Sequence, residues 1–160
     1  MRALYCLTLA LAAAAIALGT PAAHAQGADL QGYWTDPSGA YLITVGEPVA
    51  VNPPPGGGGG VWLEYHANVT YRDGSRLVTE EGQPVTFTLV GQLHGNPVAG
   101  YKVEYQYVIT VSGFEVARGV GQLALSRNQA VLDGYWKDGS EASGRLTFYR
   151  LVDEDGNFVR

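Results

Sequence analysis

Cysteine is almost missing from this chain of 160 residues: Cys6 is the only one. It lies in an apolar leader that is expected to be removed. The mature chain can then form no disulfide, and its stability must come from the core alone. Beyond the leader no apolar run reaches the ~20 residues that a bilayer span needs. Positive charge is scarce too, with 10 Lys and Arg against 15 Asp and Glu and a net charge of −5. An acidic chain without a basic stripe is a poor partner for nucleic acid or anionic membranes. Beyond the leader the histidines are His66 and His94, and they are not spaced to complete a zinc site. There is no Cys nucleophile and no Gly-x-Ser-x-Gly. Gly56–Gly60 follows prolines and opens no helix, so it is not a phosphate loop. No catalytic residue, metal site or cofactor is assigned. Helical periodicity is also absent.

What is there begins with an address. Met1-Arg2 supplies a positive n-region, Ala3 to Leu18 is almost wholly apolar, and Ala23-His24-Ala25 fits a small-x-small cleavage site. Residues 1–25 therefore read as a signal peptide, and the mature protein is expected to be secreted or periplasmic. Loss of Arg2 leaves 9 Lys and Arg against the same 15 acids, a net charge of −6. Residues 26–160 suit one domain with an adequate core.

Apolar residues alternate at period two almost everywhere. Val61, Leu63, Tyr65, Ala67, Val69 and Tyr71 share one face, opposite Glu64, His66, Asn68 and Thr70. Tyr101, Val103, Tyr105, Tyr107 and Ile109 likewise stand opposite Lys102, Glu104, Gln106 and Thr110. This is the signal of half-buried antiparallel strands. Turn clusters such as Asp73-Gly74-Ser75, His94-Gly95-Asn96-Pro97 and Ser112-Gly113 separate the runs. Eight strands are predicted, near 30–36, 40–46, 61–72, 84–93, 98–110, 113–125, 129–136 and 144–151. Short connections make most of them hairpins. The opening Gly32-Tyr33-Trp34 recurs as Gly134-Tyr135-Trp136 near the other end, which suggests a sheet that closes. The expected fold is all-β, an eight-stranded antiparallel up-and-down barrel. Its interior is either filled by side chains or holds one small ligand. Residues 48–60, with Pro53-Pro54-Pro55 and Gly56–Gly60, are expected to form a flexible loop that makes no ladder. The acidic end Asp153-Glu154-Asp155-Gly156-Asn157 lacks the ligands of a calcium loop and is read as a solvated tail or turn.

A Gly-x-Trp in the first strand and an arginine in the last, here Gly32, Trp34 and Arg150, resemble the calycin superfamily, which includes lipocalins and avidins. The resemblance implies that Trp34 closes one barrel end and Arg150 packs across it. Leu30-x-Gly32-x-Trp34-x-Asp36-x-x-Gly39-Ala40-x-Leu42-x-Thr44 and Phe148-Tyr149-Arg150-Leu151 are most similar to the avidin/streptavidin family. The positions that hold an asparagine and a serine against biotin in that family match Asp36 and Ala40. A carboxylate and a methyl cannot replace them. Avidin-like barrels often associate through their outer faces, so the resemblance also allows a homo-oligomer.

The leading functional expectation is non-catalytic binding of a small hydrophobic or amphipathic ligand inside the barrel. Tyr65, Tyr101, Tyr105 and Tyr107 are the candidate lining, with Gly32, Trp34 and Arg150 as the structural closure. The alternative is a solid barrel that binds a partner through its surface, with Trp62 and Tyr33 exposed. An enzyme built on Glu64 and His66, which alternate on one face, ranks third.

Overall fold

A computed structural model describes residues 27–53, 55–56 and 62–160. Residues 1–25, read above as a signal peptide, and most of the glycine run lie outside these residues. The elements are β1 (Gly32–Thr35), β2 (Tyr41–Val45), β3 (Val49–Val51), β4 (Trp62–Tyr71), β5 (Val85–Asn96), β6 (Gly100–Val111), β7 (Phe114–Leu125), β8 (Val131–Asp138) and β9 (Ser143–Arg150). From β4 to β9 each strand pairs antiparallel with the next, β9 pairs with β1, β1 with β2, and β2 with β4. The sheet is thus a closed, up-and-down, eight-stranded antiparallel barrel, an architecture consistent with a calycin-like fold.

The ninth strand corrects one expectation. Val49–Val51 pairs with Trp62–Glu64, although the sequence places it in the Pro/Gly loop. It continues β2 along β4. Val45 faces Ala67 and Val49 faces Glu64, so Gly46, Glu47 and Pro48 oppose only Tyr65 and His66. That extra residue is a β-bulge. Pro48, which has no N–H to donate, sits in the bulge, where a sheet tolerates it. The ladder therefore passes the proline instead of stopping at it.

Local chemistry explains the tightest connection. Val111 pairs with Phe114, leaving Ser112 and Gly113 as a two-residue loop. Both have positive φ, 50° and 85°, the conformation that matches the twist of a hairpin.

The interior face follows the alternation. Ile43, Val45, Tyr65, Ala67, Leu93, Val103, Tyr105, Tyr107, Leu123, Leu125 and Leu132 are buried. One row around the wall alternates large and absent side chains: Tyr65, Gly91, Tyr105, Gly121, Trp136 and Gly144 are successive cross-strand partners. A Cβ on Gly121 would stand 2.4 Å from Cζ of Tyr105, and one on Gly144 would stand 2.7 Å from Nε1 of Trp136. In the next row, a Cβ on Gly119 would stand 2.5 Å from the Tyr107 ring. Three aromatic rings therefore lie along the wall, each on a neighbouring strand's glycine, a packing that covers backbone which glycine leaves bare.

Gly121→Ala should overpack this contact and destabilise the fold by about 1–3 kcal/mol. Gly139→Ala, where nothing lies within 4 Å, should change stability by about 0.5 kcal/mol or less. Urea unfolding of the two variants compares them; equal midpoints would show that the ring does not rest on Gly121.

Candidate functional site

The barrel closes through few backbone pairs. β1 meets β9 only at Trp34–Arg150 and Thr35–Tyr149. Side chains reinforce the joint. Trp34 is 1% exposed, and its Nε1 donates to the Leu30 carbonyl at 2.9 Å. The Arg150 guanidinium lies 5.3 Å from the Trp34 ring centroid and 4.2 Å from that of Phe158. It donates to the Asp29 carbonyl at 2.7 Å and to the Gln31 carbonyl. The terminal residues do not trail into solvent. Asp153 caps a turn by accepting from the N–H groups of Asp155 and Asn157, and Val152 bridges Phe158. This turn delivers Phe158 to Arg150. Gly32 is required here: a Cβ would stand 2.3 Å from the Val159 carbonyl oxygen, and its φ is 124°. Gly32, Trp34 and Arg150 thus come together at one end.

The barrel interior holds a cavity of about 660 Å³. Ile43, Val69, Phe87, Leu89 and Ile109 line one side, and Trp136, Leu146 and Phe148 line the other, with Tyr105 and Tyr107 between. Phe87 and Trp136 both meet the Tyr107 ring edge-on. Below Thr35 and Tyr149, β1 and β9 are no longer paired, and Asp36, Pro37, Arg145 and Thr147 rim the cavity there. The rim's charges are spent. Arg145 and Thr147 donate to Asp133 at 2.9 and 2.7 Å. Asp36 accepts from the Ser38 and Tyr41 N–H groups at 3.0 Å each and from the Ser38 hydroxyl. Burial alone would raise the Asp36 carboxyl, but these hydrogen bonds outweigh it and hold it below its ordinary range. On the wall the Tyr107 hydroxyl and Trp136 Nε1 have no hydrogen-bond partner among the described residues, and neither has the hydroxyl of Tyr41, which is exposed at the rim.

The four candidate tyrosines do not share this cavity. Tyr105 and Tyr107 line it. Tyr65 and Tyr101 line a second cavity, of about 1010 Å³, at the Arg150 end. The Tyr105 hydroxyl donates to the Tyr135 carbonyl at 3.2 Å, and that of Tyr65 to Asp29 at 3.3 Å. Of the four, only Tyr107 lines the barrel cavity with a hydroxyl that has no hydrogen-bond partner among the described residues. The sequence did not single out Trp136 as a site residue, though its parity on β8 and its Gly-Tyr-Trp motif pointed inward.

The outer wall gives two further results. Glu64 and His66 do meet, at 3.1 Å. Gln92 donates to the other Glu64 oxygen at 3.3 Å, and no group of three metal-ligating side chains exists among the described residues. Trp62, expected to be exposed, is 7% exposed. Its ring stacks on His94 with centroids 4.3 Å apart, which covers an outward-pointing side chain. Tyr33 is only half-buried.

Burial, with Asp29 adding to it, pushes the Tyr65 hydroxyl up to about 12 from its ordinary 10.0. Burial raises Tyr105 as well, helped by Tyr107 and Tyr135. A phenol raised in the fold keeps its full stabilising contribution below the unfolded value. That contribution fades as pH rises above it, because the unfolded chain gives up its proton first. The urea midpoint should therefore fall from about pH 10 upward, and less steeply in the Tyr65→Phe/Tyr105→Phe variant. An identical slope in both proteins would mean that these phenols ionise freely in the fold.

No family model, no curated protein and no solved structure matches this chain, and what its cavities accept follows from their own lining.

Proposed function

We propose that this protein is a secreted or periplasmic, non-catalytic carrier that holds one small hydrophobic or amphipathic molecule in its barrel. The observation that carries this reading is the apolar cavity of about 660 Å³, with two unengaged donors on its wall. Small-molecule sites have this form: ~300–1,000 Å³, mostly apolar, with a few placed polar groups. The Tyr107 hydroxyl and Trp136 Nε1 suit a ligand with one carbonyl, ether or hydroxyl oxygen on an apolar frame. Leaving either donor unmatched against a bound apolar ligand would cost affinity, so the ligand is amphipathic rather than a pure hydrocarbon. The avidin-like first hairpin does not extend to biotin. Both Asp36 oxygens are committed to their own turn, and Ala40 has no hydroxyl to donate.

A second reading, surface binding of a partner, is favoured by one feature. Val120 and Tyr135, each 53% exposed, line a groove of about 600 Å³ on the outer wall together with Glu64 and Glu104.

Native mass spectrometry of protein purified from its own source separates the two. A co-purifying small molecule that is lost on unfolding supports the carrier, and a clean apo mass supports the surface. The neutral fluorophore N-phenyl-1-naphthylamine should bind with blue-shifted emission. Leu89→Trp, which fills the cavity, should weaken it by ~10-fold or more with the fold intact. Undiminished binding to Leu89→Trp would place the fluorophore elsewhere and remove the reading.

A further inference from the structure

We infer that the cavity at the Arg150 end is a second, separate binding site, for a small molecule that carries a carboxylate or similar oxyanion on an apolar body. This cavity of about 1010 Å³ is lined by the segment before β1, the segment after β9 and two hairpin loops, β5–β6 and β7–β8. It does not depend on what the barrel interior holds.

Charge is the first argument. In a chain of net charge −5, Arg127, Arg150 and Arg160 line this one cavity, and Asp29 is its only carboxylate. Asp29 pairs with Arg160 at 3.3 Å and already accepts from the Gln31 N–H and the Tyr65 hydroxyl. Arg127 has no ion pair among the described residues. Arg150 is 6% exposed and among the described residues donates only to neutral backbone carbonyls, while its buried Nε has no hydrogen-bond partner among them. Counting side chains, three guanidiniums stand against one carboxylate. Burial, with Arg160 nearby, lowers the Arg150 pKa despite the opposing pull of Asp29. A buried cation without a contacting counterion is an unfavourable arrangement that a bound anion relieves.

The neutral polar groups agree. Asn96, Asn128 and Gln129 also line the cavity. Each has its side-chain oxygen engaged by backbone N–H groups: Asn96 by Val98 and Ala99, Asn128 by Ala130, and Gln129 by Asp29. An atom that accepts from N–H must be the oxygen, so in each case the amide NH₂ is the end left over. None of the three NH₂ groups has a partner among the described residues. In these three amides the acceptor is consumed and the donor is not, which favours an acceptor-rich, negatively charged group. Leu63, Leu93, Ala28 and Phe158 supply the apolar floor, which a bare inorganic ion would leave unused.

The test is a two-dimensional amide NMR titration of the full mature chain with benzoate, its neutral isostere benzamide, and inorganic phosphate. Benzoate should shift the amides of 94–96, 127–129 and 158–160. Benzamide should bind ~10-fold or more weakly, as expected for loss of a charge-assisted hydrogen bond. Arg127 sits exposed in a loop, so Arg127→Ala should fold normally and lose benzoate affinity by roughly 5–10-fold, with partial rescue in Arg127→Lys. Displacement of benzoate by phosphate would assign the site to oxyanions in general; failure to displace would assign it to amphipathic acids. Either result supports the shared chemistry. Equal binding of benzamide, shifts confined to the barrel interior around Phe87, Tyr107 and Trp136, or no shift up to about 10 mM ligand would overturn the inference.

Discussion

The barrel depends on one joint. Seven of its eight strand interfaces are ladders of four or more residue pairs, but β1 and β9 share two. Arg150 makes the difference. Its guanidinium is held between Trp34 and Phe158 and reaches two carbonyls of the segment that precedes β1. Hydrogen bonds from a charged donor contribute ~1.5–3 kcal/mol each, and cation–π contacts ~0.5–2 kcal/mol. One side chain therefore ties both chain ends to the barrel floor. The same commitment leaves a buried positive charge beside the second cavity, so the closure of the fold and the electrostatics of that cavity have one origin.

A second constraint governs the interior. An eight-stranded barrel has room for either a packed set of side chains or one ligand. Here Tyr105, Tyr107 and Trp136 occupy the space that a side chain at Gly121, Gly119 and Gly144 on the next strand would fill. Aromatic area is buried against backbone, which stabilises the wall, and the space in the middle stays open. The hollow interior is thus a consequence of where glycine stands, not of small residues lining the lumen.

The two cavities differ in chemistry as well as place. The interior one is lined mainly by apolar side chains, Arg145 at its rim is paired with Asp133, and the ionised Asp36 is held by the donors of its own turn. The Arg150 end gathers cations and amide NH₂ groups. A chain that is acidic overall places three arginines around this concave surface.

Period-two alternation in the sequence was enough to place eight strands, their inward faces and the hairpin order, because side-chain direction in a strand depends only on parity. The closure by Trp34, Gly32 and Arg150 was an expectation that came from the resemblance of their motifs to the calycin superfamily, not from alternation. Parity says nothing about height, however. Tyr101 and Tyr107 share a face of β6, yet six residues at ~3.3 Å each separate them along the strand, and they line different cavities. It says equally little about what covers an outward residue, so Trp62 was buried by a His94 that lies 32 positions away. The continuation of β2 into Val49–Val51 needed a bulge, which no alternation announces. The cationic cavity brings together residues 29, 94–97, 127–129, 150 and 160, which adjoin only when the barrel closes. The sequence by itself determined which way each side chain points, because that is local geometry. Closure decided which of them meet, because those contacts join residues a hundred or more positions apart.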